Sequence, residues 1–278
     1  MPELTTLHQR LHGYLKLIAE CDEDGRTRLS RRAFKPPIHI SKAYWNDHSL
    51  LLNVMSPTAG LLQGDSIDID VCTHPRTSLT LSSPAALRIH KMENGLARLT
   101  QAYHVASNSF VEMNPEWLIP QAQSSFLQKT ILNIEAGGEL LFIEAFAPGR
   151  VAHGETFSFD RFDSHLRLSY DNRLSALEHF SLSDRTSLQP WKGSIKNAFY
   201  ISAFLVSEKL EQNSEIWKEI HALQSSDILV GCSQLAQGPC WSVKLLSEKP
   251  EVARRMIEQI RQLFYLAIGR HCSNLRRQ

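Results

Sequence analysis

Two acidic segments carry the chemistry that this chain could perform. One is Pro57-Thr58-Ala59-Gly60-Leu61-Leu62-Gln63-Gly64-Asp65, which runs into Ser66-Ile67-Asp68-Ile69-Asp70-Val71. The other is Phe142-Ile143-Glu144-Ala145-Phe146-Ala147-Pro148-Gly149-Arg150, which runs into Val151-Ala152-His153-Gly154-Glu155-Thr156-Phe157. Glycine ahead of Asp or Glu lets the backbone turn where a Cβ would clash, so a carboxylate is presented at a fixed place on a strand end. Glu144 stands out because the run Leu140–Phe146 otherwise reads as buried. A carboxylate there must meet a hydrogen-bond partner, a cation or water. One reading pairs it with Arg150, six residues on. The other lets it face a water-filled internal path for a divalent cation. Glu155 is an equal candidate partner for Arg150. Asp65, Asp68 and Asp70 do not have the spacing of a calcium loop. On a strand Asp68 and Asp70 share one face, opposite Ile67, Ile69 and Val71, and that face is either solvated or the wall of a wet channel or polar interface.

Other chemistries have no residues to run them. There is no G-x-x-x-x-G-K-[ST] or G-x-G-x-x-G phosphate loop, no G-x-S-x-G elbow and no H-E-x-x-H. A glycan-active β enzyme using Glu144 with Asp65 or Glu155 would have paired carboxylates, but no cluster of aromatic residues lies near them to bind sugar. The five cysteines are widely spaced without C-x-x-C, which predicts neither a disulfide framework nor a thiolate zinc site and fits a reducing cytoplasm. The net charge of +1 gives no global attraction for nucleic acid or an anionic membrane. Arg270, His271, Arg276 and Arg277 read as a solvated basic tail. No signal peptide and no membrane span is read, since no apolar run approaches the roughly 20 residues that a span needs.

The elements that must position these residues are mostly strands. Period-two patterning runs from Leu11 to about Arg185, with turn pairs at Asp24-Gly25, Asn94-Gly95, Gly137-Gly138, Pro148-Gly149 and Asp171-Asn172. Turn spacing is irregular, so no strict short repeat is visible. After Trp191 the pattern predicts a helix over Ser194–Leu210, a second over Ser214–Leu223, a hairpin turning at Gly238-Pro239, and a last helix with Ser247 as cap, Pro250 in its first turn and Gly269 at its stop. One domain over 1–278 is expected, with a β-rich body at 1–190 and helices plus a hairpin packed on it at 191–278. Phe199, Tyr200, Phe204, Trp217, Trp241, Phe264 and Tyr265 exceed what one helical stripe needs, which predicts aromatic anchors for a partner in this layer.

Several short motifs, in order along the chain, resemble those of the UreD (UreH) family of urease accessory proteins. Gly13-Tyr14-Leu15-Lys16-Leu17 and Gly25-Arg26-Thr27-Arg28-Leu29 are similar to the family's opening hairpin, and Lys35-Pro36-Pro37 to its proline turn. Pro57–Asp65 resembles its P-x-G-G-x-x-G-G-D signature, with Thr58, Ala59 and Gln63 where glycines are usual. Ser83-Pro84-Ala85-Ala86 with Arg88, Trp117-Leu118-Ile119-Pro120-Gln121, and Gly149-Arg150 with Gly154-Glu155-x-Phe157 follow, then Cys232-Ser233-Gln234-Leu235. The resemblance implies a mainly β, elongated stacked-sheet (β-helix-like) body with a helical layer from the C-terminal third, and no catalytic activity. It implies a UreF-type partner that recruits a UreG-type GTPase, docking of the assembly on apo-urease, and nickel in transit to a lysine-carbamate bimetallic site, with no tightly bound cofactor. On the matching positions, Asp65 and Glu144 would lie on the nickel path. Gly60, Gly64, Gly149 and Gly154 would shape it, with Arg150 and Glu155 nearby. Oxygen ligands without a closed metal site suit transit. A structural adaptor without an ion path is the other accessory role open to it.

Overall fold

The computed structural model describes residues 10–46, 49–183, 198–273 and 275. The chain opens on an antiparallel hairpin, β1 (His12–Cys21) and β2 (Thr27–Lys35). Short β3 (His39–Ile40) and β4 (Tyr44–Asn46) both pair with β5 (Ser49–Met55). From there the chain shuttles between two sheets. β6 (Ser66–Thr73) joins β1, and β7 (Ser78–Ser82) joins β5. After β8 (Leu87–Ile89) comes β9 (Ala97–Val105) beside β6, then β10 (Phe110–Asn114) beside β7. After β11 (Leu118–Pro120) comes β12 (Ser125–Ile134) beside β9, then β13 (Glu139–Phe146) beside β10. These pairings of β6, β7, β9, β10, β12 and β13 are all parallel, so each coil lays one strand on each sheet, as in a solenoid. A single 3₁₀ turn (Val151–His153) leads to β14 (Arg161–Tyr170) and its antiparallel neighbour β15 (Arg173–Leu182). The first sheet has the order β15-β14-β12-β9-β6-β1-β2.

The period-two pattern explains the stacking. On β6, Ile67, Ile69, Val71 and Thr73 are buried while Asp68 and Asp70 are not. The facing strands do the same, so Leu15, Leu17, Val71, Leu79, Leu81, Tyr103, Phe126, Leu132, Leu140 and Phe142 fill one core between the sheets. Asp68 and Asp70 therefore lie on the outer face, where Asp68 meets His12 at 3.5 Å.

The C-terminal third corrects one sequence expectation and meets others. Phe199–Val206 is a strand, β16, not part of a helix. Residues 194–197, where that helix was expected to begin, lie outside the described residues, as do Arg276 and Arg277. β16 is buried on both faces: Phe199, Ile201, Ala203 and Leu205 pack toward the helices, and Phe204 and Val206 toward the inter-sheet core. A strand with two apolar faces loses its alternation and offers apolar residues at helical spacing by default. The expected second helix is α1 (Glu215–His221), the expected hairpin is β17 (Ile228–Gln234) with β18 (Cys240–Ser247), and the last helix is α2 (Pro250–Ala267). Ser247 is not the cap residue. Lys249 is, and its N–H donates to Ser247 Oγ at 3.2 Å. The second sheet runs β17-β18-β16-β13-β10-β7-β5-β3, and α1 and α2 cover its outer face.

Of the aromatic residues expected to anchor a partner, all but the half-buried Tyr200 are core instead. Phe199, Phe204, Trp217, Trp241, Phe264 and Tyr265 are all buried, with the Trp217 and Trp241 rings stacked 3.8 Å apart. Arg270 is not a free tail cation either. It donates to Glu139 at 2.8 Å and lies over the Phe110 ring. Arg261 of α2 is fully buried and pairs with the equally buried Glu112 of β10, which also accepts from the Tyr265 hydroxyl at 2.6 Å. No helix among the described residues is long and apolar enough to cross a membrane.

Candidate functional site

The motif segments stack along one edge of the solenoid, where the chain crosses from the second sheet to the first. Leu61 bridges Ile89, and Ile89 pairs with Pro120, all in parallel register. Each corner is held by side chains that bind backbone. Asp65, nearly inaccessible, accepts from the Leu11 N–H and the Leu62 N–H at 2.9 Å each. Gln63 accepts from the Glu93 and Asn94 N–H groups, tying in the Asn94-Gly95 turn. Glu155 accepts from the Ala122 N–H at 3.1 Å and from Arg150 Nε at 2.8 Å. The Arg150 guanidinium beside it holds the Glu155 carboxyl below its usual value.

Two glycines repeat one device. Gly60 (φ +142) and Gly149 (φ +138) both adopt left-handed backbone. A Cβ on Gly60 would strike the Arg88 carbonyl oxygen, and one on Gly149 the Glu155 carbonyl oxygen. Only glycine lets the backbones approach this closely. Gly64 (φ +82) and Gly154 (φ +73) complete the same two corners.

Glu144 takes a different place. It is on the inward phase of β13 with Phe142 and Phe146, and it does not pair with Arg150. Its Oε1 accepts from Gln128 Nε2 at 2.5 Å and from Thr130 Oγ1 at 3.1 Å, both on the inward face of β12. Thr130 in turn accepts from Gln101, which accepts from the Tyr103 hydroxyl. The carboxylate opens on a cavity of about 150 Å³ between the sheets, lined on its polar side by Gln101, Gln128, Ser164, Glu178 and Ser202. That volume has room for several waters. The cavity runs on to Ser83, Ala85, Ala86 and Glu116 behind the corner edge. On the far side Lys244 Nζ donates to Glu178 Oε2 and to Ser202 Oγ, at 2.6 Å each.

The structure therefore separates residues that the sequence grouped. Asp65 and Glu155 do not line the cavity with Glu144. Each is engaged at a corner, so neither forms an acid–base pair with it. Gln128, Thr130, Glu178, Ser202 and Lys244 were not picked out from the sequence. Their signal was phase: Gln128 and Thr130 fall between Phe126 and Leu132 on the buried side of β12. Among the described residues no three His, Cys, Asp or Glu side chains gather to hold a metal ion.

Burial pushes the Glu144 carboxyl up to about 7, against the pull of Lys244 and the Thr130 hydroxyl and with help from Glu178. Its ordinary value is 4.5. Between these values the folded chain keeps a proton that the unfolded chain has released. Stability from this group therefore falls as pH rises from about 4.5 to about 7, and is flat above. The span is on the order of 3 kcal/mol. Glu144→Gln is expected to remove it, read as the change in urea midpoint between about pH 5 and about pH 8. Identical pH slopes in the two proteins would contradict the assignment.

The family model described as UreD urease accessory protein matches residues 11–277. A urease accessory protein UreD from Opitutus terrae is 30% identical over 93% of this chain and 96% of that one. One from Actinobacillus pleuropneumoniae is 29% identical over 90% of this chain and 96% of its own. One from Acetivibrio thermocellus is 32% identical over 56% of this chain and 60% of its own. With its motifs stacked on one solenoid edge and the family model spanning nearly its whole length, the chain belongs to the UreD family of urease accessory proteins.

Proposed function

We propose that the chain is a non-catalytic urease maturation factor that links a UreF-type and UreG-type GTPase assembly to apo-urease and gives nickel a path past Glu144. Family membership supports a role in urease maturation, as a maturation factor and not a catalyst. The observation that carries the path is Glu144 itself: a carboxylate that opens on a cavity between the sheets and is met there by Gln128 and Thr130. A hydrated divalent cation needs polar or negative walls to cross a protein interior, because apolar walls would strip its water at large cost. Oxygen donors without a closed cage let the ion enter and leave. In this reading Asp65, Arg150 and Glu155, with Gly60, Gly64, Gly149 and Gly154, act at one remove by fixing the corner edge that bounds the cavity.

A structural adaptor with no ion path makes the same protein contacts, so the discriminating experiment reads both properties. Co-expression with the UreF-type and UreG-type proteins and urease should give a co-purifying assembly and nickel-loaded urease. Omitting this chain should leave urease nickel-poor. Fully loaded urease without the chain would overturn the proposal.

A further inference from the structure

We propose that Lys244 is the resident counter-ion of the cavity, holding a position that a divalent cation must take from it. The inference rests on the reading of the cavity as an ion path and adds what sets its affinity. The sheet register puts the relevant groups in one row. Glu144 is opposite Ser202 on β16, and Ser202 is opposite Lys244 on β18. Side chains directly across a sheet share a face, so acid, hydroxyl and ammonium lie side by side on the inward surface. Glu178 of β15, in the other sheet, meets the same ammonium from across the gap.

Glu144 and Glu178 thus line this end of the cavity, with the Lys244 ammonium bound to one of them, while Glu116 at the other end is held by Arg254. A divalent cation drawn to Glu144 and Glu178 meets a like charge at close range, and that repulsion is strong where the dielectric is low. Lys244 is suited to yield. Its head is a point charge on a flexible four-carbon stem, and its side chain is 31% exposed, so it can swing outward. While seated, it lies 4.5 Å from the centre of the Phe204 ring and neutralises Glu178. A site with the lysine in place binds a passing ion weakly. Without it, two carboxylates and the Gln128, Thr130 and Ser202 oxygens would retain the ion.

The plain alternative is a latch, in which Lys244 and Glu178 merely tie the edge strand of one sheet to the other. Removing either partner would then have the same effect. The counter-ion role predicts opposite effects. The test is titration of the full chain, in complex with its UreF-type partner, with Ni²⁺ alone by calorimetry. Lys244→Met should bind Ni²⁺ about tenfold more tightly than the unaltered chain. Lys244→Arg should stay weak, and Glu178→Gln should bind more weakly still. Urease nickel loading in cells should fall with Lys244→Met, because the ion is held. If Lys244→Met fails to fold, the comparison of Lys244→Gln with Glu178→Gln remains. Affinity lost equally in those two variants supports the latch and overturns the counter-ion role. So does unchanged affinity in a folded Lys244→Met. Full urease loading with Glu144→Gln would instead sink the ion path itself, whatever Lys244→Met does.

Discussion

Arg261→Met is expected to destabilise the chain by about 3–5 kcal/mol, because it leaves a charge buried without its partner. Arg261 and Glu112 are both wholly inaccessible. The guanidinium also reaches Glu258 at 2.8 Å and the Ser273 carbonyl at 3.2 Å, so most of its donors are used. Glu112 keeps only the Tyr265 hydroxyl once the arginine is gone. Glu112→Leu should cost a similar amount for the mirror reason. The double variant Glu112→Leu/Arg261→Met should recover most of the loss, since replacing a whole buried pair with apolar groups is often close to neutral. Urea unfolding of the four proteins gives the cycle. Additive losses would mean that the pair is not coupled and that α2 is held by its apolar stripe alone. The pair matters to the site because α2 packs on the second sheet, whose other face carries Glu144.

The strands and their faces were legible in the sequence because alternation is a local property. Ile67, Ile69 and Val71 against Asp68 and Asp70 read correctly without knowledge of any neighbour. The solenoid was not legible as a repeat. Ile67 pairs with Leu99, Leu99 with Gln128, and Gln128 with Ser164. Those intervals are unequal because the corners differ in length while the strands stay in register. β16 was misread because its two buried faces erase the alternation that marks a strand.

Glu144 was recognised as a carboxylate needing a reason, and of the two partners open to Arg150, Glu144 and Glu155, the structure takes Glu155. Arg150 is near in sequence, yet a strand advances about 3.3 Å per residue. The chain leaves the interior and turns the Pro148-Gly149 corner before Arg150, which then meets Glu155. The true neighbours, Gln128 and Thr130, come from the facing sheet, and only sheet stacking brings them there. Asp65 shows the converse. Its motif was plain, but a carboxylate serving backbone N–H groups and one serving an ion look alike in sequence. In this chain Asp65 is buried and accepts from two backbone N–H groups.

Glu144→Leu is expected to lower nickel loading of urease at least about tenfold while the accessory assembly still forms. The half-buried side chain faces the cavity between the sheets, so its replacement should leave the outer faces of both sheets unchanged. Leucine is similar in size and replaces a negative wall with an apolar one, which raises the barrier for a hydrated cation. It also leaves Gln128 and Thr130 without their acceptor, a local loss that the fold can absorb through cavity water. Glu144→Asp should keep part of the loading, and Glu144→Gln should keep little, because charge and not hydrogen bonding is what the ion needs.

The most direct measurement pairs two readouts from the same cells: the amount of accessory complex that co-purifies with apo-urease, and the nickel content of the urease. For Glu144→Leu the account predicts an undiminished complex with nickel-poor urease. An undiminished complex with fully loaded urease would contradict it, and would mean that nickel does not pass Glu144.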